Sequence, residues 1–112
     1  PESQREQLMT YADLQLDPDK KTVSRGGKTI SFTAKEFSLL QYFMKHREKY
    51  ITSEELAREV WKVDFNTGTN FVEVYVSYIR NKLEKDFSTK LIHSRKGFGY
   101  LLKAEPDDEN SN

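Results

Sequence analysis

Three times this chain writes the same kind of helix-opening device, and each time an apolar period follows it. "FTAKEF" sets Thr33 three residues before Glu36. At that spacing a threonine hydroxyl and a glutamate carboxylate satisfy each other's exposed backbone N–H groups, and Phe32 and Phe37 occupy the two positions of a hydrophobic staple. "ITSEEL" repeats the device with Thr52 and Glu55 as box and Ile51 and Leu56 as staple, and "NFVE" offers Asn70 and Glu73 without a staple. A chain punctuated in this way is constrained to three helices, expected over about 34–45, about 53–61 and, with Asn70 as its cap, after position 70. The first turns Phe37, Leu40 and Met44 inward with Phe43 beside them. The second offers Leu56 and Val60, with Trp61 as a core plug at its end.

Ahead of the helices, "YADLQLDPDKKTVSRGGKTISFT" alternates β-prone pieces, Leu14 to Leu16, Thr22 to Ser24 and Thr29 to Phe32, with breaks at Asp17-Pro18-Asp19 and Gly26-Gly27. The glycine pair reads as a tight hairpin turn needing positive φ, so a small antiparallel sheet is expected. Beyond the third helix, "KLIHSRKGFGYLL" has two β-prone arms around Gly97 and Gly99 and a basic shoulder at Arg95 and Lys96, the pattern of a second hairpin. The fold class is α+β. A chain of 112 residues has room for one domain, expected at 9–103, after linker-like residues 1–8 and before an acidic polar tail, 104–112, expected to be disordered.

Several functions are disfavoured by what the chain lacks. Without cysteine there is no disulfide framework, thiolate metal site or cysteine nucleophile. His46 and His93, the two histidines, have no paired ligand spacing, so no metal and no cofactor is expected. His46 is placed to favour a helix C-terminus, and His93 to face solvent or phosphate. Glu54, Glu55 and Glu59 suit a helix N-terminus better than a catalytic pair, and no nucleophile stands with a base, so no enzyme is expected. "RGGKT" supplies only the last three residues of a phosphate loop, since the required earlier glycine falls at Thr22. No apolar run approaches the roughly 18 residues of a membrane span and no signal-peptide order is present, which leads to the expectation of a cytoplasmic protein. The chain begins without methionine, and a piece of a longer protein is therefore expected.

The formal net charge is zero, yet its distribution is uneven. From 66 to 104 there are seven bases against three acids, while the closing "EPDDENSN" carries four acids and no base. The basic half contains "TNFVEVYVSYIRNKLEKD". On a helical wheel Val72, Val76, Ile79 and Leu83 fall in a stripe about 60° wide, a core face. Opposite lie Val74, Ser77, Tyr78, Asn81 and Lys85, with Lys82 and Arg80 at the two edges and Tyr75 on the flank. Val74 and Tyr78 are therefore apolar surplus facing water. Set in a major groove, the valine meets a thymine methyl, the tyrosine stacks or hydrogen-bonds, Asn81 pairs with base edges, and Arg80, Lys82 and Lys85 reach phosphates. A short helix after a helix and a loop, followed by a basic hairpin, is the arrangement of a winged helix-turn-helix. The alternative is a winged helix used for protein contact without DNA, in which Val74 and Tyr78 form the interface.

"FTAKEFSLLQYFMKH", "ITSEELAREVW", "TNFVEVYVSYIRNKLE" and "LIHSRKGFGYLL" resemble, in order and spacing, successive motifs of the OmpR/PhoB-type DNA-binding domain of bacterial two-component response regulators. The resemblance runs from Leu14 to Leu102. It implies a four-stranded N-terminal sheet, three helices and a C-terminal wing, joined to a phosphorylatable receiver domain that a sensor kinase serves. It also implies a monomer in isolation and head-to-tail dimers on direct repeats of double-stranded DNA. By position, Val74, Tyr75, Tyr78 and Lys82 match residues that face DNA, Arg80 a frequent phosphate contact, and Lys96 the wing's usual arginine. The loop containing Val63, Asp64, Phe65, Asn66 and Thr67 matches a segment that touches RNA polymerase in some relatives. Asn70, Ser77 and Tyr78 stand where relatives often carry arginine, which implies base preferences of this chain's own.

Overall fold

The computed structural model describes residues 8–63, 68, 70–87 and 89–104. Four short strands, β1 (Met9–Tyr11), β2 (Leu14–Asp17), β3 (Thr22–Arg25) and β4 (Lys28–Ile30), pair in sequence order as an antiparallel sheet. Helices α1 (Ala34–Lys45), α2 (Ser53–Val60) and α3 (Asn70–Glu84) follow, and β5 (Ile92–Arg95) pairs with β6 (Gly99–Leu102) as a closing hairpin. This is the expected architecture, with one strand the residues did not announce. β1 is three residues long and stands at the sheet edge, too short to carry an alternation of its own.

The turns obey their local chemistry. Gly26 and Gly27 both have positive φ, 58° and 83°, between Arg25 and Lys28, which face each other in the β3–β4 register. Asp17 accepts the Asp19 and Lys20 N–H groups on Oδ1, so the Asp-Pro-Asp break is a side-chain-stabilised turn.

At α1 the full capping box forms: Thr33 Oγ1 accepts the Glu36 N–H and Glu36 Oε1 accepts the Thr33 N–H. At α2, Thr52 accepts the Glu55 N–H, while the Glu55 carboxylate accepts the Tyr42 hydroxyl of α1 at 2.6 Å. That contact binds α1 to α2, and burial together with Glu55 pushes the Tyr42 phenol up to about 12. The third device differs from expectation. Asn70 is the first helical residue rather than the cap, and position 69 lies outside the described residues.

The core gathers Leu14, Leu16 and Val23 from the sheet, Phe37, Leu39, Leu40, Phe43 and Met44 from α1, Leu56 and Ala57 from α2, the expected stripe Val72, Val76, Ile79 and Leu83 from α3, and Leu91, Ile92 and Leu102 from the hairpin region. Trp61, expected as a plug, is half-buried at the C-cap of α2 and meets Phe71 edge-on at 5.1 Å. Ile51 and Tyr100 exchange two 2.8 Å backbone hydrogen bonds, which sews the α1–α2 connection onto β6. Gly99, at φ 107°, permits that approach, because any Cβ there would overlap the Ile51 carbonyl.

Among the described residues two charged groups are buried. Arg25 of β3, 2% exposed, donates from Nη1 to the Leu83 carbonyl and from Nη2 to the Thr89 carbonyl, both at 2.7 Å, and pairs through Nε with Asp13 at 3.1 Å. Its guanidinium lies over the Phe87 ring. Glu36 is the other, and its second partner comes from α3.

Candidate nucleic-acid interface

The same periodicity that buries one stripe of α3 leaves the opposite side open. Val74 is 45% and Tyr78 50% exposed, and Asn70, Ser77, Asn81 and Lys85 are exposed around them. Tyr78 is nevertheless held. Its ring meets Tyr75 at 5.6 Å, Tyr75 meets Trp61 at 5.2 Å, and Trp61 meets Phe71, so edge-to-face contacts run from the α2 C-terminus up to the surface. Tyr75 is thereby half-buried, a support beneath Tyr78 rather than a member of the open face.

The two edge cations part company. Lys82 was expected to reach phosphate, but it turns toward α1, where its ammonium lies 2.6 Å from Glu36 Oε1 and 2.9 Å from the Ser31 carbonyl, over the Phe32 ring. The reason is geometric. A flank position can serve either side, and a buried carboxylate within reach is a stronger partner than water. Burial pushes the Glu36 carboxyl up, but the Lys82 hydrogen bond, the Thr33 N–H and the ammonium's charge outweigh it and hold it below its ordinary value. Arg80, on the other edge, keeps its Nε buried with no hydrogen-bond partner among the described residues. It shares a shallow hollow with Ser77, Asn81, Glu84 and Lys85. Glu84 is engaged elsewhere, accepting the Leu91 and Ile92 N–H groups at 2.8 and 2.9 Å.

The wing flanks this face. A cleft lined by Ser53, Glu73, Ser94, Arg95 and Tyr100 joins the first turns of α2 and α3 to β5 and β6. Burial and the charge of Glu73 raise the Tyr100 phenol above its ordinary value, against a Ser53 hydrogen bond and the Arg80 cation. Arg95 and Lys96 are exposed at the tip, as expected for a basic shoulder, and Phe98 beside them is 49% exposed. His93 turns inward, with Nε2 at 3.0 Å from the Lys103 carbonyl, rather than out to solvent. His46 caps α1 and lies against Tyr42. Of the loop expected to touch polymerase, only Val63 is among the described residues, packed against the core, and Asp64, Phe65, Asn66 and Thr67 lie outside them. Among the described residues, no group of three or more His, Asp or Glu side chains gathers as metal ligands, and no helix is long and apolar enough to cross a membrane.

Residues 27–102 match the family model described as "Transcriptional regulatory protein, C terminal". The chain belongs to that family, the OmpR/PhoB-type DNA-binding domains of response regulators. Family members include the response regulator MprA of Mycobacterium avium (strain 104), to which the chain is 42% identical over 107 residues, covering 95% of this chain and 47% of MprA. The chain thus spans about half the length of the curated relatives it matches. Among solved structures, the DNA-binding domain of Escherichia coli CpxR is similar at a TM-score of 0.76 and 26% identity, over 89% of this chain and all of that one. The Klebsiella pneumoniae RstA DNA-binding domain, solved in complex with the RstA box, shares the fold at a TM-score of 0.79 and 20% identity, over 89% of this chain and 100% of that chain.

Proposed function

We propose that the chain recognises specific double-stranded DNA by laying the outward face of α3 in a major groove, with the wing against the neighbouring minor groove. It does no chemistry. The observation that carries this reading is the Val74–Tyr78 pair, apolar, open to solvent and braced from below, among uncharged polar side chains and cations. A braced aromatic and a β-branched methyl are suited to base edges and thymine methyls, and Asn70, Ser77 and Asn81 can hydrogen-bond there. Arg80, Lys85, Arg95 and Lys96 supply the positive charge that draws the duplex in, with Lys82 left to the fold. The RstA domain bound to its box supports the same use of the shared fold.

In this reading residues 9–103 act as the cytoplasmic output unit of a larger response regulator, whose receiver domain is addressed by a sensor kinase. Head-to-tail dimerisation on direct repeats and a polymerase contact through 63–67 belong to the same proposal. Binding measured against salt tests it. About four phosphate contacts give a log–log slope of about −3 to −4, and a duplex selected by the chain from a random pool is bound in preference to scrambled duplex. Absence of duplex binding at low salt would refute the proposal and favour protein contact through Val74 and Tyr78.

A further inference from the structure

The wing tip carries an aromatic where a hairpin loop needs none. Phe98 donates its N–H to the Arg95 carbonyl at 2.9 Å, closing the loop across Gly97, whose φ is 86°. Its side chain takes no part in that closure, yet it is fixed on both sides. The ring lies 5.4 Å from Tyr50, on the α1–α2 connection, and the Arg95 guanidinium stacks 4.5 Å above its centroid. Half of the residue remains open to solvent. Lys96 is exposed next to them and lies over no aromatic ring among the described residues.

We infer that Arg95, held by the Phe98 ring, rather than Lys96, is the residue with which the wing discriminates minor grooves, and that Phe98 is its positioning residue. The inference rests on the DNA-binding reading above. A narrow A·T-rich minor groove concentrates negative potential and favours an inserted cation, while the guanine amino group of a G·C pair obstructs it. A planar guanidinium is less strongly hydrated than an ammonium and loses less freedom when an aromatic face already holds it. A lysine on a flexible stem neutralises phosphate equally well in either context. The two neighbouring cations therefore divide the work, Lys96 adding affinity to any duplex and Arg95 adding a preference for A·T flanks. The exposed edge of Phe98 is left to pack on a deoxyribose at the groove wall.

The test takes the 112-residue chain and a duplex that it selects from a random pool. The wing-side flank is then made A·T, inosine·cytosine or G·C; inosine·cytosine removes the minor-groove amino group while keeping the major-groove edge of G·C. The wild-type chain is expected to bind the first two about fivefold or more tighter than the third. Arg95→Lys and Phe98→Ala should each bring that ratio close to one. In Arg95→Lys the salt slope stays unchanged, and in Phe98→Ala the melting temperature barely moves, the ring being half exposed. Phe98→Tyr, which keeps the flat face, should restore the ratio. Lys96→Ala should weaken binding to all three alike and lower the salt slope by about one contact. Should the wild type bind duplex but show no flank preference, or keep it in Phe98→Ala, or lose it only in Lys96→Ala, the assignment is overturned while the DNA-binding reading stands. Should it select no duplex, both fall.

Discussion

α3 uses charge in opposite ways at its C-terminal end and on its outward side. At its C-terminal end, charges are drawn into the fold: Arg25 reaches the Leu83 carbonyl, Lys82 is taken by Glu36, and Glu84 anchors the start of β5. On its outward side Val74, Ser77, Tyr78 and Asn81 are exposed, Lys85 is exposed just past the helix end, and the buried Nε of Arg80 has no hydrogen-bond partner among the described residues. The same residue types do both jobs, so the count of cations on a helix does not measure its affinity for phosphate. What separates them is whether an acceptor of the fold stands within reach of the flank. The internal ties fix the helix against the sheet and α1, and a helix so fixed can present a rigid face to a partner.

The sharpest break of this contrast lies at Arg25. Arg25→Ala leaves two carbonyls and Asp13 without their donor, and is expected to cost about 3–5 kcal/mol in denaturant unfolding. The salt slope of DNA binding should be unchanged under conditions where the variant is folded. A loss below about 1 kcal/mol would mean the guanidinium is not a structural tie. Lys82→Met is expected to cost less, about 1–2 kcal/mol, because Lys82 is partly exposed, and again to leave the salt slope alone. A slope lowered by about one unit would return Lys82 to the phosphate contacts.

The same pair makes a pH prediction. Glu36 is held below its ordinary pKa in the folded chain, so its contribution to stability is full above the ordinary glutamate range and is lost as the pH falls through the depressed value. In Lys82→Met that acid-side loss should shrink, which unfolding curves over acidic pH would show. The smallest effect on the fold is expected from Arg80→Ala, under about 1 kcal/mol in stability, but with the salt slope reduced by about one and binding weakened on all duplexes. Tyr78→Ala, by contrast, should alter preference among sequences with the slope retained. Equal behaviour of Arg80→Ala and Tyr78→Ala would dissolve the division between base-reading and backbone-holding residues.

Much of this was legible in the sequence because it is local. The α1 box, the turn at Gly26-Gly27 and the buried stripe of α3 each follow from residues within a few positions of one another. So does the exposure of Val74 and Tyr78. What escaped depends on contacts between distant segments. Arg25, in "SRGGKT", looks like an ordinary turn-flanking cation until the fold brings it to Leu83, 58 positions away. Lys82 sits at the edge of the helical wheel, and only Glu36, 46 positions earlier, decides which way it turns. Gly99 reads as a turn glycine, whereas its close approach to Ile51 is what requires it. Ring contacts could have been suspected from the spacing of Trp61, Phe71, Tyr75 and Tyr78, but their order could not.

Amide chemical-shift mapping during titration with a selected oligonucleotide reports directly which surface meets the duplex. Perturbations should cluster at Val74, Ser77, Tyr78, Asn81 and the wing tip from Arg95 to Phe98, with β1 to β4 silent. Shifts confined to the N-terminal sheet, with α3 and the wing unmoved, would contradict this interface.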